Sequence, residues 1–268
     1  MSKAPSLAEV LDLLHEIAPL ELAADWDNTG LLLEPKRRRG PVRRALLAVD
    51  LTEAVVAEAV AWSADLLVTY HPPIFHGQKR LRSDDGRQRV LLAAIAAGCA
   101  VYSPHTALDA APSGLAEWLA EGVLAGAEPD DIRPCGEGEF GRWVKLPRAV
   151  PFAELLRRVA RRLRRSDFAV ARGTGVGNSV RTVAVAAGAG AGVLRGCRAD
   201  VWITGELPHH DVLAAVADGT SVVLAGHSHT ERPYLPVLGR RLTAAFGKAL
   251  AVRVSRADRD PLAIVRTR

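Results

Sequence analysis

Apolar residues are spaced in two ways along this chain. Short blocks of Val, Leu and Ala, each bounded by charged or turn-forming residues, read as buried strands: "ALLAVD" (45–50), "DLLVTY" (65–70), "CAVYSP" (99–104), "TVAVAA" (182–187), "DVWIT" (200–204) and "SVVLAG" (221–226). Between them, apolar positions recur at helical spacing. They predict helices near 6–18, 52–62, 86–97, 113–121, 151–164, 190–196, 209–217 and 231–238. The last is a poor helix interior because it holds Pro233 and Pro236. Strands alternating with helices predict an α/β fold.

The blocks come in the same order twice. "ADLLVT" at 64–69 answers "ADVWIT" at 199–204, and "VRRALLAV" from Val42 answers "VRTVAVAA" from Val180. Downstream, "GCAVYSPHTALD" from Gly98 answers "GTSVVLAGHSHTE" from Gly219. Self-similarity of this kind predicts two related α/β halves.

The duplication changes the reading of one short stretch, "YSPHTALDAAP" (102–112). His105 and Asp109 are four apart, so on a helix they share a face and could converge on one metal ion. Ser103 or His105 with Pro104 could equally open a helix, leaving Asp109 in water. The second half repeats the pattern as His227 and Glu231, again directly after an apolar block. A helix cap needs neither a histidine nor its repetition, whereas a shared metal cluster needs both. His71 in "VTYHPPIF" and His209 and His210 in "ITGELPHH" follow the other matched strands, so seven of eight histidines fall behind these four strands. Beyond the carboxyl ends of strands is where open α/β sheets gather ligands.

Imidazole and carboxylate donors without thiolate suit Zn, Fe, Mn, Co or Ni. The five candidate ligands His71, His105, Asp109, His227 and Glu231 exceed the needs of one tetrahedral ion, but serve two divalent ions if a carboxylate bridges them. Paired ions activate water and stabilise an oxyanion, which is hydrolytic chemistry. Glu206 and His209 are candidates for proton transfer or for orienting a ligand. Their plainer reading is a helix N-terminal carboxylate and its neighbour. Gly188, Gly190 and Gly192 could form a phosphate nest, but the segment lacks a P-loop Lys-Ser/Thr, and a tight strand-to-helix turn is the stronger reading.

Composition sets outer bounds. At 268 residues with 49% hydrophobic and 24% charged residues, the chain has the make-up of a globular protein of one large or two ordinary domains. Its apolar blocks are too short or too interrupted to span a bilayer, and no signal-peptide h-region opens the chain, so a cytoplasmic location is expected. Cys99, Cys135 and Cys197 contain no CxxC and are read as reduced and structural. The net charge of +5 favours anionic ligands. Its densest run, "RRVARRLRR" (157–165), reads as an amphipathic helix with a solvated arginine face. It has no aromatic interleaving, so nucleic-acid binding is not favoured.

Several long segments, in order, give the chain its resemblance to a known family: "PLELAADWDNTGLLLE", "YHPPIF", "HTALDAAPSGLAEWLAEG", "TGELPHHD" and "GHSHTERPYL". It resembles the Nif-three-like family, also described as dinuclear metal centre hexameric proteins. The resemblance implies two α/β domains, here 1–126 completed by 227–268, and 127–226, with a two-metal site in the cleft between them. It maps the ligands onto His71, His105, Asp109, His227 and Glu231. It also implies a homo-oligomer, a toroidal hexamer, and a linker from Gly122 to Gly141 too short for the extra domain some members carry. Many bacterial members have two adjacent histidines where this chain has Tyr70-His71, which weakens the second metal position because a phenol is a poor ligand at neutral pH.

Three functions compete. The leading one is a metal-dependent hydrolase acting on a small, phosphorylated or nucleotide-like substrate. A specific version is the GTP cyclohydrolase opening of the purine ring, the reaction after which bacterial members are often labelled. Another is a non-catalytic metal-binding oligomer that scaffolds or regulates partner proteins.

Overall fold

The structure, a computed structural model, describes residues 3–36, 40–174, 177–263 and 265. The chain forms two compact units, Met1–Glu16 with Asp25–His105 and Leu235–Arg268, and Ile17–Ala24 with Thr106–Tyr234. It leaves the first unit after His105 and returns after Tyr234, where the sequence suggested residues 126 and 226. The difference at the first crossing lies in a helix, α5 (Leu115–Leu124), which packs against α6 (Phe152–Leu163). An amphipathic stripe shows that a helix buries one face but not against what.

The first unit is built on a five-stranded sheet of order β1-β4-β3-β2-β11. Its members are β1 (Gly30–Leu33), β2 (Arg44–Ala48), β3 (Leu66–Thr69), β4 (Ala100–Ser103) and β11 (Ala251–Val254). All neighbours run parallel except β1, which is antiparallel to β4. Strands β3 and β4 are buried along their whole length, as expected of parallel strands covered on both faces. On one face Leu46, Ala48, Leu67 and Val101 pack with Val55 and Ala59 of α2 (Glu53–Ala61) and Ala94 of α3 (Gly86–Ala97). On the other, α10 (Leu235–Phe246) sets Gly239 against Leu47 and Val252. Helix α1 (Leu7–Ile17) opens the chain. Helix α3 occupies its predicted bounds because both ends are specified. Asp85 accepts the Arg87 and Gln88 amide N–H groups, and Gly98 closes the helix at φ 69°. The C-terminal segment is tied down after β11, where buried Asp258 accepts the Val49 N–H at 2.8 Å.

The second unit has a six-stranded sheet of order β5-β6-β8-β9-β10-β7. Its strands are β5 (Asp131–Cys135), β6 (Gly141–Pro151), β7 (Ala169–Ala171), β8 (Ser179–Val185), β9 (Val201–Thr204) and β10 (Ser221–Leu224). Its remaining α-helices among the described residues are α4 (His105–Ala110), which belongs to this unit from Thr106 on, α7 (Ala191–Leu194), α8 (His209–Ala217) and α9 (His227–Glu231). The stretch read as a linker from Gly122 to Gly141 is not one. It contains the end of α5 and all of β5, which pairs antiparallel with β6. Charged Asp131 and Arg133 and the proline at 134 mask this edge strand in the hydrophobic pattern.

The repeat seen in the sequence recurs as hydrogen-bond register. Aligning Val42 with Val180 sets Ala45 opposite Val183, and these residues pair with Leu66 and Val201, themselves matched by the "ADLLVT"/"ADVWIT" alignment. Leu66 then pairs with Ala100, and Val201 with Ser221, another matched couple. Even a side-chain tie repeats. Asp65 Oδ2 accepts the Arg43 and Arg44 amides, and Asp200 Oδ2 accepts those of Arg181 and Thr182. Strands β1 and β7 complete the match, each an antiparallel edge on β4 or β10. The protein is therefore two related α/β units.

Two local expectations need correction. The predicted helix at 231–238 is two helices, α9 and α10, joined by a 3₁₀ turn at Arg232–Tyr234. Pro233 sits in the turn and Pro236 in the first turn of α10, where a missing N–H costs nothing. Nor is the arginine face of α6 wholly solvated. Arg157 and Arg161 are exposed, but Arg158 donates to the Val123 carbonyl and Arg162 to that of Trp118, stacking on its ring at 4.2 Å.

Candidate metal centre

In the first unit, β3 runs out at Thr69 and delivers Tyr70 and His71 just past its carboxyl end. The Ser103 hydroxyl donates to the Tyr70 carbonyl at 2.8 Å and fixes this turn to β4. His71 Nδ1 lies 2.8 Å from Asp50 Oδ1, on the residue that follows the end of β2 by two. His105 is the first residue of α4 (His105–Ala110), at φ +30°, a left-handed value that a non-glycine residue adopts at a cost of roughly 1–3 kcal/mol. Its Nδ1 lies 2.8 Å from Asp27 Oδ1, and the Asp27 side chain is fully buried. The His71 and His105 rings stand 5.5 Å apart, and the Tyr70 ring meets that of His105 edge-on at 5.4 Å. Two imidazoles and a phenol thus gather where β3 and β4 end.

The second unit repeats the device with different residues. His227 is the first residue of α9, set up by Gly226 at φ 87°. Its Nδ1 lies 3.0 Å from Glu206 Oε1, and its Nε2 lies 3.1 Å from Oε1 of Glu231, one helical turn on. Glu231 is 3% exposed. Gly188, at φ +55° after β8, makes room for this pair. A Cβ there would lie 2.5 Å from Glu231 Oε1 and 3.0 Å from His227 Nε2. The Gly188 N–H donates to Thr230 Oγ1 at 2.8 Å, and that hydroxyl donates to the His227 carbonyl at 2.7 Å, so the glycine turn and the start of α9 are locked together. Asp109, the fifth residue of α4, is buried at 8% exposure. His209 opens α8 with an exposed side chain, its ring 5.5 Å from that of His210.

One arrangement occurs three times. His71, His105 and His227 each place Nδ1 on a carboxylate, of Asp50, Asp27 and Glu206 respectively. A carboxylate only accepts, so Nδ1 carries the proton and Nε2 becomes the ligating nitrogen. The second unit offers a direct check of fit to a metal ion. Two donors bonded to one ion at about 2.1 Å stand roughly 3 Å apart, which the 3.1 Å between His227 Nε2 and Glu231 Oε1 satisfies. This His/Glu pair can hold a metal ion.

Sequence reasoning singled out the histidines, Asp109 and Glu231 but missed Asp27 and Asp50 as orienting groups. A signal existed for Asp50. It aligns with Gly188 in the duplication, so each half has a distinct residue at the same turn. Gly188 itself was read as part of a tight strand-to-helix turn, and it is one, with the added consequence that its missing side chain clears space for two candidate ligand atoms.

Comparison with known proteins agrees with this architecture. The profile of the family described as Duf34/NIF3 (NGG1p interacting factor 3) matches residues 5–261. The chain is 39% identical to the protein NIF3 homolog of Schizosaccharomyces pombe, with 98% of this chain and 99% of that protein aligned. It is 37% identical to NIF3-like protein 1 of Drosophila melanogaster, over 97% of this chain and 89% of the relative. Among solved structures, a Bacillus cereus protein related to NIF3 superposes with a TM-score of 0.82 at 20% identity, covering 98% of this chain and all of that one. Reduced HcgD from Methanocaldococcus jannaschii superposes with a TM-score of 0.80 at 24% identity, over 93% and 97%. Both likenesses are of fold.

Proposed function

Because the chain belongs to the Duf34/NIF3 family, we propose that it binds two divalent metal ions through His71, His105, Asp109, His227 and Glu231 and uses them to hydrolyse a small anionic, nucleotide-like substrate. The observation that carries this reading is the threefold carboxylate–imidazole arrangement. Structural histidines have no need of it, while metal-ligating ones almost always show it. Bound there, paired ions would supply Lewis acidity and a water of lowered pKa. The protein's own groups supply the rest. Glu206 holds His227 in the ligating tautomer, and exposed His209 is the candidate for moving a proton to or from the substrate.

The substrate class rests on two features. Net positive charge favours an anion. In the first unit, Trp26 is 59% exposed and Phe75 is 39% exposed, with ring centroids 6.0 Å apart. The Trp26 ring also meets His105 edge-on at 6.3 Å, so a flat base could stack beside a ligand. A non-catalytic role as a metal-binding partner protein is the second reading, favoured by the family's own description as an interacting factor. Metal analysis and turnover separate them. The double variant Asp109→Ala, Glu231→Ala should stay folded and lose stoichiometric metal, and unchanged metal content in it would refute the ligand assignment. If the wild type binds metal and hydrolyses none of a panel of nucleotides and phosphate esters, the partner-protein reading stands and the hydrolase reading does not.

A further inference from the structure

The second unit holds a pair of thiols that the metal chemistry does not use. Cys135 ends β5, Cys197 follows α7, and both pack against the same small cluster of Ala184, Ala186 and Leu194. The Cys135 thiol hydrogen-bonds to the Cys197 sulfur, which also accepts the backbone N–H of Gly136, the residue next to Cys135. Each sulfur adjoins Val193. Cys197 Sγ lies 3.6 Å from its carbonyl, and a Cβ on Gly141 would lie 3.0 Å from both Cys135 Sγ and Val193 Cγ1. Cys197, together with Arg195, Arg198 and Trp202, also lines a pocket of about 850 Å³. One of the two cysteines therefore lines a cavity large enough for a small molecule, and the other is not among its lining residues.

We propose that Cys135 and Cys197 are a redox-active dithiol, in which Cys197 attacks a small-molecule disulfide admitted by this pocket and Cys135 resolves the product. The Cys197 thiolate bonds to one sulfur of R–S–S–R, and R–S⁻ departs and takes up a proton. Cys135 then releases its proton to water, its sulfur bonds to Cys197 Sγ, and the second R–S⁻ leaves. Two protein thiols are oxidised to one disulfide, and one small disulfide is reduced to two thiols. The division of labour follows from the hydrogen bond. Donation from Cys135 holds the Cys197 thiol down at about 7, while the same bond and burial push Cys135 up. The indole N–H groups of Trp202 and Trp143 donate to the Cys197 and Arg198 carbonyls at 2.7 and 2.8 Å, so disulfide formation at Cys197 should also change tryptophan fluorescence.

The test uses the full chain with oxidised glutathione, followed by acid quench, maleimide labelling and peptide mass spectrometry. The expected product is a Cys135–Cys197 disulfide, with buried Cys99 labelled only after unfolding. In Cys135→Ala the reaction should stop at glutathione on Cys197. The pH midpoint for iodoacetamide alkylation of Cys197 should rise from about 7 toward the ordinary thiol value of roughly 8.5. The idea fails if glutathione settles on Cys135 while Cys197 is spared. It fails equally if the wild type keeps both thiols under glutathione disulfide while Cys197 still reacts with iodoacetamide. Should Cys135→Ala not fold, the wild-type product and its alkylation midpoint decide alone.

Discussion

Replacing Gly188 with alanine tests the metal centre at a position that is not itself a ligand. The built Cβ lies 2.5 Å from Glu231 Oε1, so the oxygen must retreat by about 0.9 Å to reach ordinary contact at 3.4 Å. His227 Nε2, 3.0 Å away, must retreat by about 0.4 Å. Metal–ligand bonds tolerate displacements of about 0.2 Å, and Glu231 at 3% exposure has little space to yield. Loss of even an outer-shell group typically lowers metal affinity 10–100-fold, and displacing two ligand atoms should cost at least that. The backbone adds a separate penalty. At φ +55° an alanine costs about 1–2 kcal/mol, which for a chain of this size lowers Tm by roughly 2–4 °C per kcal/mol. The control is Gly192→Ala, in α7 with no atom within 4 Å of the added carbon, where affinity should not change. Titration of metal-free protein by calorimetry, with melting curves on the same samples, separates the two effects. If Gly188→Ala binds metal as tightly as wild type, or Gly192→Ala loses as much affinity, the assignment of His227 and Glu231 is wrong.

Asp27→Asn should lower metal affinity about 10–100-fold without removing a ligand, because the amide no longer enforces the His105 tautomer; an unchanged titration would mean that His105 is held by other contacts. Tyr70→His should tighten the weaker of two binding steps, since the Tyr70 ring already stands within 5.0 Å of His71 and 5.4 Å of His105. Identical stepwise affinities in wild type and variant would place this side chain outside the coordination shell. Light scattering should return a hexamer at micromolar concentration, and a monomer mass would remove the proposed ring assembly.

Elements buried on both sides were the most legible in the sequence. Strands β2, β3, β4, β8, β9 and β10 all stood out as apolar blocks, and α3 was bounded correctly because a cap aspartate and a left-handed glycine mark its ends. What escaped was half-exposed or short. β1 and β7 are apolar runs of only four and three residues, with one fully buried residue and none, and β5 carries charges and a proline that break its pattern. Helix α4 is six residues long, too short for a periodic stripe to declare itself, although its two functional positions gave it away. No helix among the described residues is long and apolar enough to cross a membrane. At the site, His105, Asp109, His227 and Glu231 were visible because their pattern repeats, and the orienting carboxylates Asp27 and Asp50 were hidden because they do not. Asp27 precedes β1, outside the duplicated segment altogether.

Once the halves are aligned by register rather than by letters, their divergence becomes chemically informative. The turn after the first strand of the repeat carries Asp50 in one half and Gly188 in the other. The position after the second strand carries His71 and then Glu206. In the first unit, a carboxylate at the first turn holds a histidine at the second. In the second unit, the carboxylate has moved to the second turn and holds His227 at the third, which leaves the first turn to be emptied to glycine. The first half thus carries two carboxylate-held imidazoles, His71 and His105, and the second carries one, His227, beside a bare turn, so the two cannot supply the same number of donors. Only the third element, a histidine opening a helix with a carboxylate four residues on, is common to both. If the protein binds two ions as proposed, their positions are unequal from the chain's own construction, before Tyr70 is considered, and the stepwise titration of the wild type should show two separable affinities.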